Sequence, residues 1–271
     1  MPARNCPGQR GQRATGGVAL QTEGKMICCI DMEHPSALRG PRRRSEHLDY
    51  CDRIRRKLEG TSRVACIVRP YQAVTKAWLE SAAVQALVLG GNATDWGEYS
   101  RAELQELQEI IREATLPILG LCGGLQLIGM AHDTLVEPMR PLRTEEADPE
   151  EGYAAGFFKE WGFTPVSVIE PDPLFEGLDA PVFLEAHYCE LRQVPRGFRL
   201  LASTNACRIQ AIRRIGKPVY GTQFHPEAYI VGADDVGGWL LDLVYPHGYG
   251  AYQPAGRTLL RNFFRLAGVR G

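Results

Sequence analysis

The tightest constraint on this chain is the stretch Pro117-Ile118-Leu119-Gly120-Leu121-Cys122-Gly123-Gly124-Leu125-Gln126-Leu127-Ile128-Gly129. A short apolar run reaches Gly-x-Cys-Gly-Gly and resumes as Leu125, Leu127 and Ile128, a helix-compatible pattern. A strand that turns sharply into a helix, with a reactive side chain on the turn, has this grammar. Glycines at 120 and 124 remove side chains that would collide at so tight a turn, and the residue on the corner takes a strained backbone. A helix starting just past Cys122 turns its free N–H groups and positive dipole end toward the sulfur, favouring the thiolate that attacks. On its own the stretch leaves a nucleophile and a buried structural cysteine equally open.

A second stretch shifts that balance. Downstream the chain reads Pro218-Val219-Tyr220-Gly221-Thr222-Gln223-Phe224-His225-Pro226-Glu227. Val219 to Phe224 reads as a strand that Pro226 ends, which puts His225 at a strand exit with Glu227 two residues on. A thiol needs a base, and an imidazole base needs a group that fixes its tautomer and orientation. Cys122, His225 and Glu227 supply the three parts. Singly, a histidine before a proline is more often a turn residue and a lone glutamate is usually solvated.

Together the two motifs resemble the class I, or triad, glutamine amidotransferases, over most of the chain from about Met26 to about Gly268. The nearest likeness is to the glutaminase part of GMP synthases, through Leu200-Leu201-Ala202-Ser203-Thr204, Ile209-Gln210-Ala211-Ile212 and Tyr220 to Glu227. The resemblance implies that Cys122 attacks the side-chain amide of glutamine, with His225 and Glu227 completing the triad. It also implies an oxyanion hole built from the N–H groups of Gly91 and Gly123, with Asn92 standing where the family more often has proline. Gln126 is implied as a contact to the substrate glutamine, and Tyr188 and Cys189 as further substrate contacts. Glu160-Trp161-Gly162 resembles the family's Glu-Tyr-Gly before its antiparallel ribbon. His187 is a second imidazole, ranked below His225 because no partner acid stands in a comparable turn.

The rest of the chain is consistent with one α/β domain over 26–271, preceded by a disordered extension, 1–25, that is poor in apolar residues. With 271 residues, 44% hydrophobic and 23% charged, a substantial core is available. A net charge of −1 gives no bulk attraction to nucleic acid, and no apolar run approaches a membrane span. Eight cysteines without CxxC pairing argue against a zinc ribbon and suggest a reducing, cytoplasmic setting. Strands are expected at Met26 to Met32, Arg63 to Val68, Ala86 to Gly91 and Pro117 to Leu121, alternating with helices. The first helix is expected from a Ser45 cap, with Leu48, Cys51, Arg55 and Leu58 on one side and Gly60 as its stop, after a solvated loop carrying Arg42, Arg43 and Arg44. A short helix is expected around Val74 to Ser81, and Ser100 with Glu103 forms a capping box for a helix burying Leu104, Leu107, Ile110 and Ile111.

This alternation predicts a mostly parallel, flavodoxin-like sheet with helices on both faces, and ligands beyond the carboxyl ends of its strands. From Arg140 to Gly152 an acidic, proline-containing stretch reads as a mobile surface loop. Short strands then follow at Phe163 to Ile169, Val182 to Leu191, Phe198 to Ser203, Cys207 to Ile212 and Val219 to Phe224, as an added antiparallel portion. A final helix is expected from Gly256 to Leu266. Between them, residues 232–255 are rich in Gly and aromatics and read either as packed structure or as a partner or acceptor surface.

The function expected is hydrolysis of glutamine to glutamate and ammonia, without metal or cofactor, the ammonia passing to an ATP-using synthetase on a separate chain. Two alternatives stand beside it: a free-standing γ-glutamyl hydrolase acting on γ-glutamyl amides or peptides, and a non-catalytic regulatory module.

Overall fold

In a computed structural model the described residues are 25–229 and 254–269. The extension 1–25, apart from Lys25, and most of the 232–255 segment lie outside them. The first half alternates as the hydrophobic pattern requires: β1 (Met26–Asp31), α1 (Pro41–Ser62), β2 (Ala65–Pro70), α2 (Lys76–Ser81), β3 (Val84–Leu89), α3 (Arg101–Glu113), β4 (Ile118–Leu121) and α4 (Gly123–Ala131). The second half is strand-rich: β5 (Val136–Pro138), β6 (Glu160–Pro165), β7 (Ser167–Val168), β8 (Val182–His187), β9 (Cys189–Leu191), β10 (Phe198–Ser203), β11 (Ala211–Arg214) and β12 (Val219–Thr222), before α5 (Pro254–Leu266).

One sheet runs through both halves in the order β2-β1-β3-β4-β12-β11-β10-β7. Its first five strands are parallel and the last three antiparallel. Two separate ribbons, β5 with β9 and β6 with β8, stand beside it. The central strands are buried on both faces, so they read as continuous apolar runs. One core lies under α3 and α4, where Leu104, Leu107, Ile111 and Ile128 meet Ile30, Leu87, Leu89 and Ile118. The other lies under α1 and α5, where Leu58, Leu260 and Phe263 meet Ile27, Val88, Leu119 and Leu121. Alternate residues of β1, β3 and β4 thus serve opposite cores.

Helix α3 opens on the expected Ser100–Glu103 capping box and buries Leu104, Leu107, Ile110 and Ile111. Helix α1 differs from expectation at both ends. Gly40, at φ 95°, takes the N-cap and Pro41 the first turn, so Arg42, Arg43 and Arg44 are helical rather than a loop. Gly60 is tolerated inside the helix, which ends where Arg63 turns left-handed at φ 63°. Its inner face is Ile54, Lys57 and Leu58, with Cys51 half-buried and Leu48 exposed. The acidic stretch between Arg140 and Gly152 is also tied down more than its composition suggests. Arg140 makes a two-pronged bond to Glu146, and Asp148 pairs at 2.5 Å with the buried Lys159.

Candidate active site

Cys122 sits where β4 becomes α4, at φ 50° and ψ −105°, a conformation that non-glycine residues hold only under constraint. The constraint is visible. Its N–H donates to the Thr222 carbonyl at 2.7 Å, continuing the β4–β12 ladder. Its own carbonyl accepts the first helical bond of α4, from Gln126 N–H. The turn closes because two side chains are missing. A Cβ on Gly120 would lie 2.5 Å from the Gly124 backbone, and one on Gly124 would lie 2.4 Å from the Leu89 carbonyl oxygen.

The neighbouring strand delivers the base. Beyond β12 the chain bridges to β8, with the His225 N–H donating to the Leu184 carbonyl at 2.9 Å. His225 Nδ1 meets Glu227 Oε1 at 2.8 Å, and both side chains are buried. Burial works against the imidazolium, but the charges of Glu227 and Cys122 and a hydrogen bond to each hold the His225 pKa well above its ordinary value. With Nδ1 committed to Glu227, Nε2 is the nitrogen left for Cys122, the geometry of a base oriented by an acid.

Gly91 closes the group from β3. A Cβ there would lie 3.2 Å from the His225 ring and 3.5 Å from Cys122 Cβ, so this backbone abuts both side chains. The loop that follows is braced by Glu33, whose carboxylate accepts from the Ala93 N–H at 2.9 Å and from the Thr94 N–H and hydroxyl. Asn92 folds across Gly123: a Cβ on Gly123 would lie 1.7 Å from Asn92 Oδ1. The Asn92 amide donates to the Thr94 carbonyl at 2.7 Å.

Of the three residues expected at the substrate, Gln126 is buried with its amide engaged by the protein. It accepts from Trp96 Nε1 at 2.7 Å and donates to the Cys189 carbonyl at 3.0 Å and to Gln223 Oε1 at 3.2 Å. Tyr188 packs its ring on Tyr153 and Phe157. Tyr188, Cys189 and Gln126 line a small second cavity together with Cys122. Burial pushes the Cys189 thiol up to about 12, a poor setting for a nucleophile.

Two features were not foreseen. Gln223 is fully buried and its amide donates to Cys122 Sγ at 3.5 Å. His187, ranked below His225 because no partner acid stands in a comparable turn, has two acids from the β6–β8 ribbon: its Nε2 lies 3.2 Å from both Glu160 and Glu185. Its Nδ1 meets the Cys189 carbonyl at 3.0 Å. The β6–β8 ladder places Glu160 opposite His187, which proximity along the chain does not reveal.

Cys122 and His225 open onto a cavity of about 470 Å³. Gly91, Asn92 and Thr94 form one wall, and Arg43, Glu46, His47 and Tyr50 of α1 another. Glu150, Gly152 and Tyr153, from the tied-down acidic stretch, line it as well.

Sheet, elbow and cavity define an α/β protein of the kind that carries a buried cysteine on a strand-to-helix corner at the carboxyl ends of parallel strands. The chain belongs to the class-I glutamine amidotransferases, whose family model matches residues 49–235. It is 31% identical over 147 residues to a glutamine-hydrolyzing GMP synthase subunit of Archaeoglobus fulgidus, covering 54% of this chain and 68% of that protein. It is 29% identical over 163 residues to the corresponding protein of Methanocaldococcus jannaschii, covering 60% and 66%. Among solved structures, a Thermoplasma acidophilum protein assigned as a GMP synthase subunit superposes with a TM-score of 0.62 at 23% identity, over 90% of this chain and 94% of that one. That likeness supports the fold. Among the described residues no helix is long and apolar enough to cross a membrane.

Proposed function

We propose that this chain hydrolyses the side-chain amide of glutamine through Cys122, His225 and Glu227 and passes the ammonia to an ATP-using synthetase on a separate chain. The observation that carries this reading is the meeting of two adjacent strand ends, Cys122 at the end of β4 and the His225–Glu227 pair, 2.8 Å apart, just past β12. Cys122 attacks the carbonyl carbon of the γ-amide as the thiolate, and the oxyanion faces the N–H groups of Gly91 and Gly123, worth about 2.7–4 kcal/mol per donor. His225 protonates the departing nitrogen, so ammonia leaves and a γ-glutamyl thioester remains. Water then loses a proton to His225, attacks the thioester, and releases glutamate and the thiol. Glu227 keeps the His225 ring in register. The names of the archaeal relatives support a GMP synthase type of synthetase as the partner.

The cavity favours a second reading. Its volume is in the range that takes drug-sized ligands, and it runs from Cys122 past Arg43, Glu46 and Tyr50. A γ-glutamyl compound with a bulky substituent on the amide nitrogen would use that space, with water as the only acceptor. Glutaminase rate measured alone and again with a synthetase partner separates the two. A low basal rate raised by the partner supports amide transfer. High partner-free turnover of γ-glutamyl conjugates supports the hydrolase, and no turnover of either substrate overturns both readings.

A further inference from the structure

Three side chains converge at the α1 side of the main cavity. Asp31 ends β1, and His47 and Cys51 lie four residues apart on α1, the spacing that puts two ligands on one helical face. Asp31 Oδ2 is 2.7 Å from His47 Nε2, Cys51 Sγ is 3.4 Å from the same nitrogen, and Cys51 Sγ is 3.9 Å from Asp31 Oδ2. The Glu33 N–H holds the other Asp31 oxygen at 3.0 Å, which fixes the carboxylate.

Cysteine, histidine and aspartate suggest a second triad, but the geometry rules out a relay. A relay divides its partners between the two ring nitrogens, as His225 does. At His47 both the thiol and the carboxylate face Nε2, which carries at most one proton. Three donor atoms aimed at one point, rather than in series, are what a cation satisfies.

We propose that Asp31 Oδ2, His47 Nε2 and Cys51 Sγ bind one zinc(II) ion. The mixed oxygen, nitrogen and sulfur set suits zinc, and a carboxylate with a thiolate neutralises its two charges. Tetrahedral zinc with bonds of about 2.0–2.3 Å holds its ligand atoms about 3.3–3.6 Å apart. The three separations here bracket that range, so sub-ångström shifts admit the ion. Three protein ligands leave a fourth position. His47 lines the cavity that Cys122 and His225 also line, which opens that position to water or to a carboxylate of a molecule lying there. The proposed hydrolysis draws on no metal, and this site is separate from it. A second grouping, Glu160, His187 and Cys207, is fully enclosed, and there Gln210 also donates to Glu160 at 2.7 Å. It serves as the internal control.

The test is a titration of the full chain, stripped with a chelator, with cobalt(II) as the spectroscopic stand-in. The expected result is saturation at one equivalent, with a thiolate-to-cobalt band in the near ultraviolet and the visible intensity of a four-coordinate ion, both reversed by zinc. Cys51→Ser should lose the near-ultraviolet band, and His47→Gln should weaken binding at least about 100-fold, the upper end of the loss when an outer partner is removed. Cys122→Ser and Cys207→Ser should retain the spectrum. A second measurement needs no variant: zinc should slow alkylation of Cys51, read by peptide mapping, and leave Cys189 unaffected. A band that survives Cys51→Ser, titration without saturation, or equal alkylation of Cys51 with and without zinc overturns the proposal.

Discussion

Two buried histidines stand on the strand-rich side of this molecule, each paired with carboxylate, and only one is suited to chemistry. His225 gives Nδ1 to Glu227 and keeps its other nitrogen toward Cys122. His187 spends both nitrogens on the protein: Nε2 faces Glu160 and Glu185, and Nδ1 meets the Cys189 carbonyl. Burial alone would push both imidazoles down, and in each case carboxylate charge and hydrogen bonds reverse it, raising His187 to about 10 and His225 well above its ordinary value. A raised histidine pKa is therefore no mark of a catalytic residue here. What distinguishes the two is whether a ring nitrogen is left over and what it faces.

The sharpest way to break this contrast is to remove the reacting groups. Cys122→Ala and His225→Ala should each lower glutamine turnover by on the order of 10⁴- to 10⁶-fold while the fold, read by circular dichroism, persists. Glu227→Ala should be about 10- to 100-fold less damaging than His225→Ala, since it orients rather than transfers protons. Equal damage with folding intact would give Glu227 a larger part.

The other histidine should fail differently. His187→Leu leaves two buried carboxylates without their cation and should destabilise the protein by about 3–5 kcal/mol, measured by urea unfolding. If its stability is unchanged but turnover falls as far as in His225→Ala, the division of labour between the two histidines is wrong.

A finer test is the pH dependence of stability. Burial raises Glu185 from 4.5 to about 7 in the folded state, so the native chain binds more protons than the unfolded one between those values and stability falls as pH rises through that window. His187 contributes stability that is complete below about 6.5 and is lost as pH climbs through about 10. Both slopes have the same sign. Glu185→Gln should abolish the lower one, worth up to about 1.4 kcal/mol per pH unit, in unfolding curves collected from pH 4.5 to 7. An unchanged slope would locate the titrating group elsewhere.

The smallest expected effect lies far from either histidine. Ser100→Ala removes the cap of α3 and should cost about 1 kcal/mol of stability, with kcat on glutamine unaltered. A change in kcat would tie α3 to the site more closely than its packing does.

The elbow and the His225 turn were legible in the sequence because their signals are local: small residues around a cysteine, and a proline that stops a strand. The alternation of β1 to α4 was legible for the same reason. The start of α1 was misread because Ser45 resembles a cap, while Gly40-Pro41 supplies an earlier one. The sheet's last strands were placed less well: β11 begins at Ala211, four residues later than expected, because Cys207 and Ile209 fill the core from a loop, with Arg208 exposed between them, before the chain joins the ladder. The acids around His187 were missed because ladder register, not spacing, brings Glu160 to it. Gln223 was visible only as part of a strand, and its reach to Cys122 depends on β12 lying beside β4.

The corner that holds Cys122 also limits how this chain can drift. A methyl group at Gly120 or Gly124 meets backbone atoms first, and backbone cannot retreat without moving β3 or α4. Cys122 itself occupies a positive-φ conformation, outside the regions open to most side chains, that most replacements would tolerate poorly. Single mutational steps at these three positions therefore lead downhill, and no one of them is rescued by a partner alone. Adjustment to a new substrate has to come from the cavity's other walls, the face of α1 and the stretch around Tyr153, where side chains rather than main chain fill the space.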